Sequence, residues 1–295
     1  MGDLSPSLRA WFDRSGRELP WRDLSPSPHR PWGVLVSEVM LQQTPVPRVV
    51  PAWTAWMQRW PAPADLAADA PGEAIRAWGR LGYPRRALRL HAAARAITER
   101  HDGLVPEDAA ALLSLPGVGE YTAGAVLAFG FHRPALALDT NVRRVLARHD
   151  AGVEHAGPSV TVSERDRALT LMPAQDAVGW MAAVMELGAL VCTARSPDCR
   201  GCPVATGCRW LALGRPPAEG PARRQPGYAG SDRQARGALL AVLREARGPV
   251  SSRRLDAAWP DAAQRTRALD GLVADGLIAP ASGGRWELPR TAAAG

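Results

Sequence analysis

The sequence contains no lysine. All 36 of its Lys+Arg residues are arginine, set against 29 acidic residues for a formal charge of +7. No side-chain amine is therefore present to form a Schiff base. The excess of arginine favours a polyanionic partner. Cysteine is scarce and confined: four residues, all between 192 and 208. A disulfide framework in a secreted chain of this length would be spread out, so the crowding points to one metal centre in a reducing compartment. No apolar run approaches the ~20 residues that a membrane helix needs. The start shows no basic stretch followed by an apolar one, and position 6 is Pro where a myristoylation signal requires Ser or Thr. The expected address is cytoplasmic, with no membrane partner. Internal repeats are also missing. With 46% hydrophobic and 22% charged residues the composition is globular, which excludes wholesale disorder. The 295 residues leave room for two or three domains.

From residue 7 to about 215 apolar residues recur at helical spacing, with Gly or Pro breaks every ten to twenty residues. The pattern predicts helices near 6–14, 32–43, 48–59, 73–80, 85–100, 107–114, 120–130, 140–149, 162–172, 176–190 and 205–212. Residues 216–230, rich in Pro, Gly and Arg, read as a linker. A small module follows over 231–290: three short helices, then Leu277–Ala279 and Arg285–Leu288 flanking a Pro-Ala-Ser-Gly-Gly turn. Three helices and a hairpin suggest a winged-helix-like unit. Its Arg253, Arg254, Arg265 and Arg267 are candidate phosphate contacts or solvated surface.

The cysteines are spaced Cys192-x6-Cys199-x2-Cys202-x5-Cys208. Structural zinc more often uses two separated Cys-x2-Cys knuckles. Iron–sulfur clusters accept uneven short spacings, so the pattern favours such a cluster over zinc.

Three further segments carry chemistry. Leu115 to Gly119 (LPGVG) is a tight turn opening a helix. Gly117, Val118 and Gly119 there can present backbone N–H groups to a phosphate, as in a helix-hairpin-helix. Asp139 stands just before a predicted helix beginning near Asn141, where an N-cap is its ordinary use. Glu38 has Val34, Leu35 and Leu41 at helical spacing. Desolvation among them would favour its protonated form, whereas a helix-edge position would let it reach solvent.

Together these stretches resemble the MutY-type adenine DNA glycosylases of the helix-hairpin-helix superfamily. The matching pieces are LPWR at 19–22, SEVMLQQT at 37–44, Gly82 with Tyr83, LPGVG at 115–119, Asp139 with Asn141 and Val142, and the four-cysteine loop. They cover about residues 5–215 in the family's order. The resemblance implies an all-α, two-lobed glycosylase: one lobe of 1–27 with 138–215 around a [4Fe–4S] cluster on Cys192, Cys199, Cys202 and Cys208, and a six-helix barrel lobe of 28–137. It implies removal of adenine opposite 8-oxoguanine or guanine in double-stranded DNA, by a monomer. Glu38 matches the family's catalytic acid and Asp139 its cation-stabilising carboxylate, with Asn141 beside it. Trp21 and Arg22 match adenine-pocket positions. Gln43 and Tyr83 match residues that intercalate, and Thr44 lines the site. Tyr121 stands where lyase-active relatives such as endonuclease III carry a catalytic lysine, which implies a monofunctional enzyme. Arg143 replaces a lysine that can trap the product.

Some positions depart from the family pattern. Pro84, Thr140 and Ala182 replace a common Tyr, Gly and Glu or Gln. The last sixty residues are too few for the Nudix-like, lesion-reading domain that many relatives carry. Two rival readings exist: a thymine or uracil mismatch glycosylase of the same superfamily, and a non-catalytic iron–sulfur DNA-binding protein.

Overall fold

The computed structural model describes residues 5–22, 24, 27–218 and 227–290. The predicted linker thus lies partly, at 219–226, outside the described residues. Fifteen α-helices occur among the described residues. They are α1 (Ser5–Ser15), α2 (Arg30–Leu41), α3 (Val46–Arg59), α4 (Pro63–Ala68), α5 (Pro71–Trp78), α6 (Arg85–Arg100), α7 (Ala109–Leu113), α8 (Glu120–Ala125), α9 (Thr140–Leu146), α10 (Val162–Leu171), α11 (Ala177–Leu190), α12 (Arg209–Ala212), α13 (Asp232–Glu245), α14 (Ser252–Ala258) and α15 (Ala262–Ala274). Strands β1 (Val250–Ser251), β2 (Ala279–Ala281) and β3 (Arg285–Glu287) form one small sheet.

Helix starts follow local chemistry. Prolines occupy the first turns of α3, α4 and α5, where a missing N–H costs nothing. Side chains of Asp139, Thr161, Asp176, Ser231 and Asp261 accept a backbone N–H at the N-caps of α9, α10, α11, α13 and α15. The short α4 has no periodic pattern long enough to announce it in the sequence. The helices predicted over 120–130 and 140–149 begin as α8 and α9 but finish as π-helical turns, Val126–Gly130 and Ala147–Ala151. Gly152, at φ +74°, ends the second.

The chain divides into two compact units. The first comprises Met1–Leu35, Glu107–Leu113 and Val118–Ala222. Its core gathers Leu8 of α1, Val142 and Val145 of α9, and Trp180, Met181, Val184 and Leu187 of α11. The second comprises Val36–Pro106, Ser114–Gly117 and Arg223–Gly295. In it Trp56 lies edge-on to Trp60 and Trp78, with ring centroids 4.6 and 5.8 Å away.

The C-terminal module shares this second unit. Its element order α13–β1–α14–α15–β2–β3 and its antiparallel sheet order β1-β3-β2 form a winged helix. β1, two residues long, leaves no alternation to read in the sequence. Ile75 of α5 joins the module's core of Leu239, Leu240, Leu243, Leu255 and Leu272. The Gly72 N–H donates to Pro289 O at 2.8 Å, and Arg76 donates to the carbonyls of Arg244 and Ala246. Arg244 in turn donates to Gly79 O, at the turn after α5. Of the four candidate phosphate-binding arginines, Arg265 pairs with Asp256 and Arg267 with Asp232. Arg253 and Arg254 are exposed.

Candidate active site and cysteine loop

Residues 31–40 are buried without interruption, so α2 has no solvent edge over this stretch. Glu38 is 4% exposed and Ser37 fully covered. The residue pattern left burial and a helix-edge position reaching water both open; the covered side chain excludes the second.

Asp139 sits half-buried at the N-cap of α9. Its Oδ1 accepts the Val142 N–H and its Oδ2 the Asn141 Nδ2, both at 2.7 Å. The cap is real, and it leaves the carboxylate oriented by two donors. Burial pushes the Asp139 carboxyl above the ordinary aspartate range, while those donors and Arg144 pull it back. Arg144 continues the chain of contacts. Its Nη2 donates to Asn141 Oδ1 at 2.7 Å and to Gly188 O at 2.6 Å. Its Nε donates to Cys192 O at 2.7 Å. Asp139, Asn141 and the first cysteine thus belong to one hydrogen-bonded assembly. Arg143 is held by Glu164 at 2.7 Å and by the carbonyls of Gly157 and Ser159.

The crossing of α9 and α11 depends on Gly188. A Cβ there would lie 2.7 Å from Asn141 O and 2.9 Å from Asn141 C. Backbone cannot give way as a flexible side chain can. Gly188→Ala is therefore expected to displace the start of α9 and to destabilise the protein by about 1–3 kcal/mol, as overpacking does. Denaturant unfolding alongside activity per folded molecule checks it.

The N-terminal segment reaches α11 through a cluster centred on Glu186, which is fully buried. Arg17 donates to it from Nε at 2.6 Å, from Nη2 at 2.9 Å and from its backbone N–H at 2.9 Å. Arg22 Nη2 adds a bond at 2.8 Å, and the Arg22 Cζ lies 5.2 Å from the centroid of the Phe12 ring. These donors outweigh desolvation and bring the Glu186 carboxyl down to about 2. Arg22 is thus committed to an internal carboxylate, and Trp21 is buried beside it in sequence.

Gln43 and Tyr83 are both exposed, and both have left-handed backbones at φ +57° and +46°. Thr44 is buried, its hydroxyl donating to Leu81 O at 3.2 Å and accepting from Arg86 Nη2 at 3.0 Å. In the Gly turn, Gly117 has φ +81° and Gly119 is extended as the N-cap of α8. Val118 is buried and Tyr121 half-buried against the core of the first unit.

The four cysteines are joined by no disulfide and are partly exposed. Burial pushes the Cys202 thiol up to about 11, helped by the neighbouring thiols of Cys192, Cys208 and Cys199. The Val204 N–H opposes this at Cys202, and the Leu211 and Trp210 N–H groups do so at Cys208. Arg148 Nη1 lies 3.5 Å from Cys192 Sγ and donates to Thr193 O at 2.7 Å. The donor set by its chemistry, four thiols in one loop with N–H groups facing two of them, suits a positively charged metal–sulfur group, although as they stand the side chains of the described residues are not arranged to hold a metal ion.

Sequence reasoning passed over Arg86, Arg144 and Glu186. The arginines sit in ordinary basic runs, RRALR and NVRRVL, that read as solvated faces. Glu186 did carry a signal, the same one as Glu38: a lone acid inside an apolar helix, AVGWMAAVMELGAL.

Residues 36–167 match the model of the HhH-GPD superfamily of base excision DNA repair proteins. The adenine DNA glycosylase of Mycobacterium tuberculosis is 50% identical over 286 residues, covering 96% of this chain and 92% of the relative. The chain belongs to the MutY-type adenine DNA glycosylase family. The family's protein from Mycolicibacterium smegmatis is likewise 50% identical, over 97% of this chain and 96% of its own. The human adenine DNA glycosylase is 41% identical across 69% of this chain and 38% of its own length. Among solved structures, a thermostable thymine-DNA glycosylase aligns with a TM-score of 0.62 at 24% identity, over 70% of this chain and 94% of the other. An endonuclease III bound to DNA aligns at 0.58 and 24%, over 70% and 92%. These two likenesses are of fold and leave the base open.

Proposed function

We propose that the protein is a monofunctional glycosylase that hydrolyses the N-glycosidic bond of adenine opposite 8-oxoguanine or guanine in duplex DNA. The observation that carries this reading is the placement of two carboxyl groups. Glu38 is buried on α2, and Asp139 caps α9 with N–H donors on both of its oxygens and Arg144 nearby. Such pairs divide acid work from charge work. The adenine must first leave the stack. Glu38 then protonates N7, which turns the base into a better leaving group. The C1′–N9 bond breaks with its electron pair going to adenine. Ionised Asp139 stabilises the cationic sugar, and water adds at C1′ as its proton passes to the Glu38 carboxylate. Tyr121 offers no amine, so the abasic strand stays intact.

The four thiolates of Cys192, Cys199, Cys202 and Cys208 would hold one [4Fe–4S] cluster. When bound, that cluster supplies iron–thiolate bonds that tie the loop together, and Arg144 and Arg148 grip the same loop through carbonyls of 192 and 193. A thymine mismatch glycosylase is the second reading, favoured only by the fold likeness.

Single-turnover assays on duplexes with A opposite 8-oxoguanine, A opposite G, A opposite T and T opposite G, with and without hot alkali, test the reading. Alkali-dependent cleavage of the A strand in the first two, sparing A opposite T, is the expected result. Cleavage at T opposite G alone overturns it. Asp139→Asn keeps a capping side chain but loses the charge. It is expected to slow base release by about 100-fold or more, in line with lost electrostatic stabilisation, while α9 stays folded by circular dichroism. With the wild-type carboxyl raised above its ordinary range, activity should fall on acidification at a higher pH than a free aspartate would give.

A further inference from the structure

Arg86 is 6% exposed, yet no carboxylate pairs with it among the described contacts. A buried cation without a counter-ion is costly. Its acceptors explain its presence. Nη1 donates to the carbonyls of Val39 at 2.8 Å, Met40 at 3.0 Å and Gln42 at 2.6 Å. Nη2 donates to Thr44 Oγ1 at 3.0 Å and Gly82 O at 3.1 Å. The first two carbonyls belong to the last turn of α2, where the helix dipole favours positive charge. The guanidinium also lies 5.1 Å from the Trp78 ring and 5.6 Å from the Tyr83 ring. Desolvation lowers its pKa to about 10, which leaves it charged at neutral pH.

The two turns that Arg86 clasps carry Gln43 and Tyr83. Left-handed backbones at non-glycine residues persist only where the surroundings over-determine them, and they gather at functional sites. Here both side chains are exposed, and the one ring contact described for them, Arg86 over the Tyr83 ring, leads to the same guanidinium. The carbonyls beside them account for the conformation: Gln42 and Gly82 accept from that one guanidinium, which also ends the helix bearing Glu38.

We propose that Arg86 is a positioning residue that sets Gln43 and Tyr83 as one rigid wedge, in fixed register with the helix of Glu38. The proposal rests on the reading that these two tips enter the DNA. Lysine cannot replace the fork, because an ammonium has three donors and no plane to span both turns.

The test uses the full-length protein in single-turnover assays on A opposite 8-oxoguanine and A opposite G, with the active fraction titrated separately. Arg86→Lys is expected to keep its active fraction but to slow base release by about 10–100-fold, as sub-ångström to ångström misplacement does. The same substitution in a Gln43→Ala/Tyr83→Ala background is expected to add little. Thr44→Val leaves Arg86 in place and removes one of its acceptors. It should slow release several-fold with the same dependence on the tips, and it serves if Arg86→Lys does not fold. A loss confined to active fraction, with the rate of the remaining molecules unchanged, would reduce Arg86 to a structural role and overturn the proposal. So would an Arg86→Lys effect of equal size with and without the tips. If Gln43→Ala/Tyr83→Ala were itself silent, the reading of the tips would fail, and the proposal with it.

Discussion

Glu38→Gln is expected to lower base release from A opposite 8-oxoguanine by about 100- to 10,000-fold, the range for loss of a positioned general acid. Binding to the same duplex should remain within a few-fold. Glutamine matches glutamate in size and suits the covered position on α2 better than any charged residue, so packing at this 4%-exposed site is conserved. The transferable carboxylic proton is lost. Single-turnover cleavage after alkali reads the chemistry, and fluorescence anisotropy of labelled duplex reads the binding. Full activity in the variant would sink the mechanism. Loss of both properties would point to misfolding, and Glu38→Asp then separates reach from acidity.

Glu186→Leu is expected to show the largest effect on stability. Two guanidinium groups and one backbone N–H converge on a carboxylate with no exposed surface. Removing it leaves Arg17 and Arg22, whose side chains are 34% and 25% exposed, facing each other without a counter-charge, which costs about 2–3 kcal/mol, less than for a fully buried pair because water reaches both arginines. The wild-type protein has a matching pH signature. The Glu186 pKa is about 2 when folded and near ~4.3 when unfolded. The unfolded chain therefore binds the proton first, and the contribution to stability is full above the unfolded value. It is lost as the pH falls through the window between the two. Urea titrations of wild type and Glu186→Leu from pH 7 to pH 3 check both claims. The gap between the proteins should narrow as the pH approaches 3. A constant gap would show that packing rather than charge makes the difference.

The contrast between Glu38 and Glu186 shows how far local pattern carries. Both are single acids in apolar helices. The resemblance named a role for the first, and nothing in the spacing distinguished the second as an internal counter-ion. Periodicity located most helices to within a few residues because one apolar face per helix must be covered. It missed α4, too short to show a period. It also ran through the π-helical ends of α8 and α9, whose hydrogen bonds change while their composition does not. The winged helix was legible from its hairpin and three helices. That it builds its core together with Ile75 of α5 was not, since the partner lies more than 150 residues away.

By itself the sequence determined the helical class, the cysteine loop, the absence of a lysine nucleophile and the conjunction of motifs that marks the family. Each of these depends on residue identity or short spacing. Tertiary structure alone decided which charges are spent internally. Arg22, Arg144, Arg265 and Arg267 are held by partners remote in the chain or across a turn, and Arg86 is buried under two loops. In a chain whose every cation is arginine, the residue type carries no information about that choice. Only the folded backbone, by bringing carbonyls and carboxylates within reach, separates an arginine that clasps a turn from one that faces solvent.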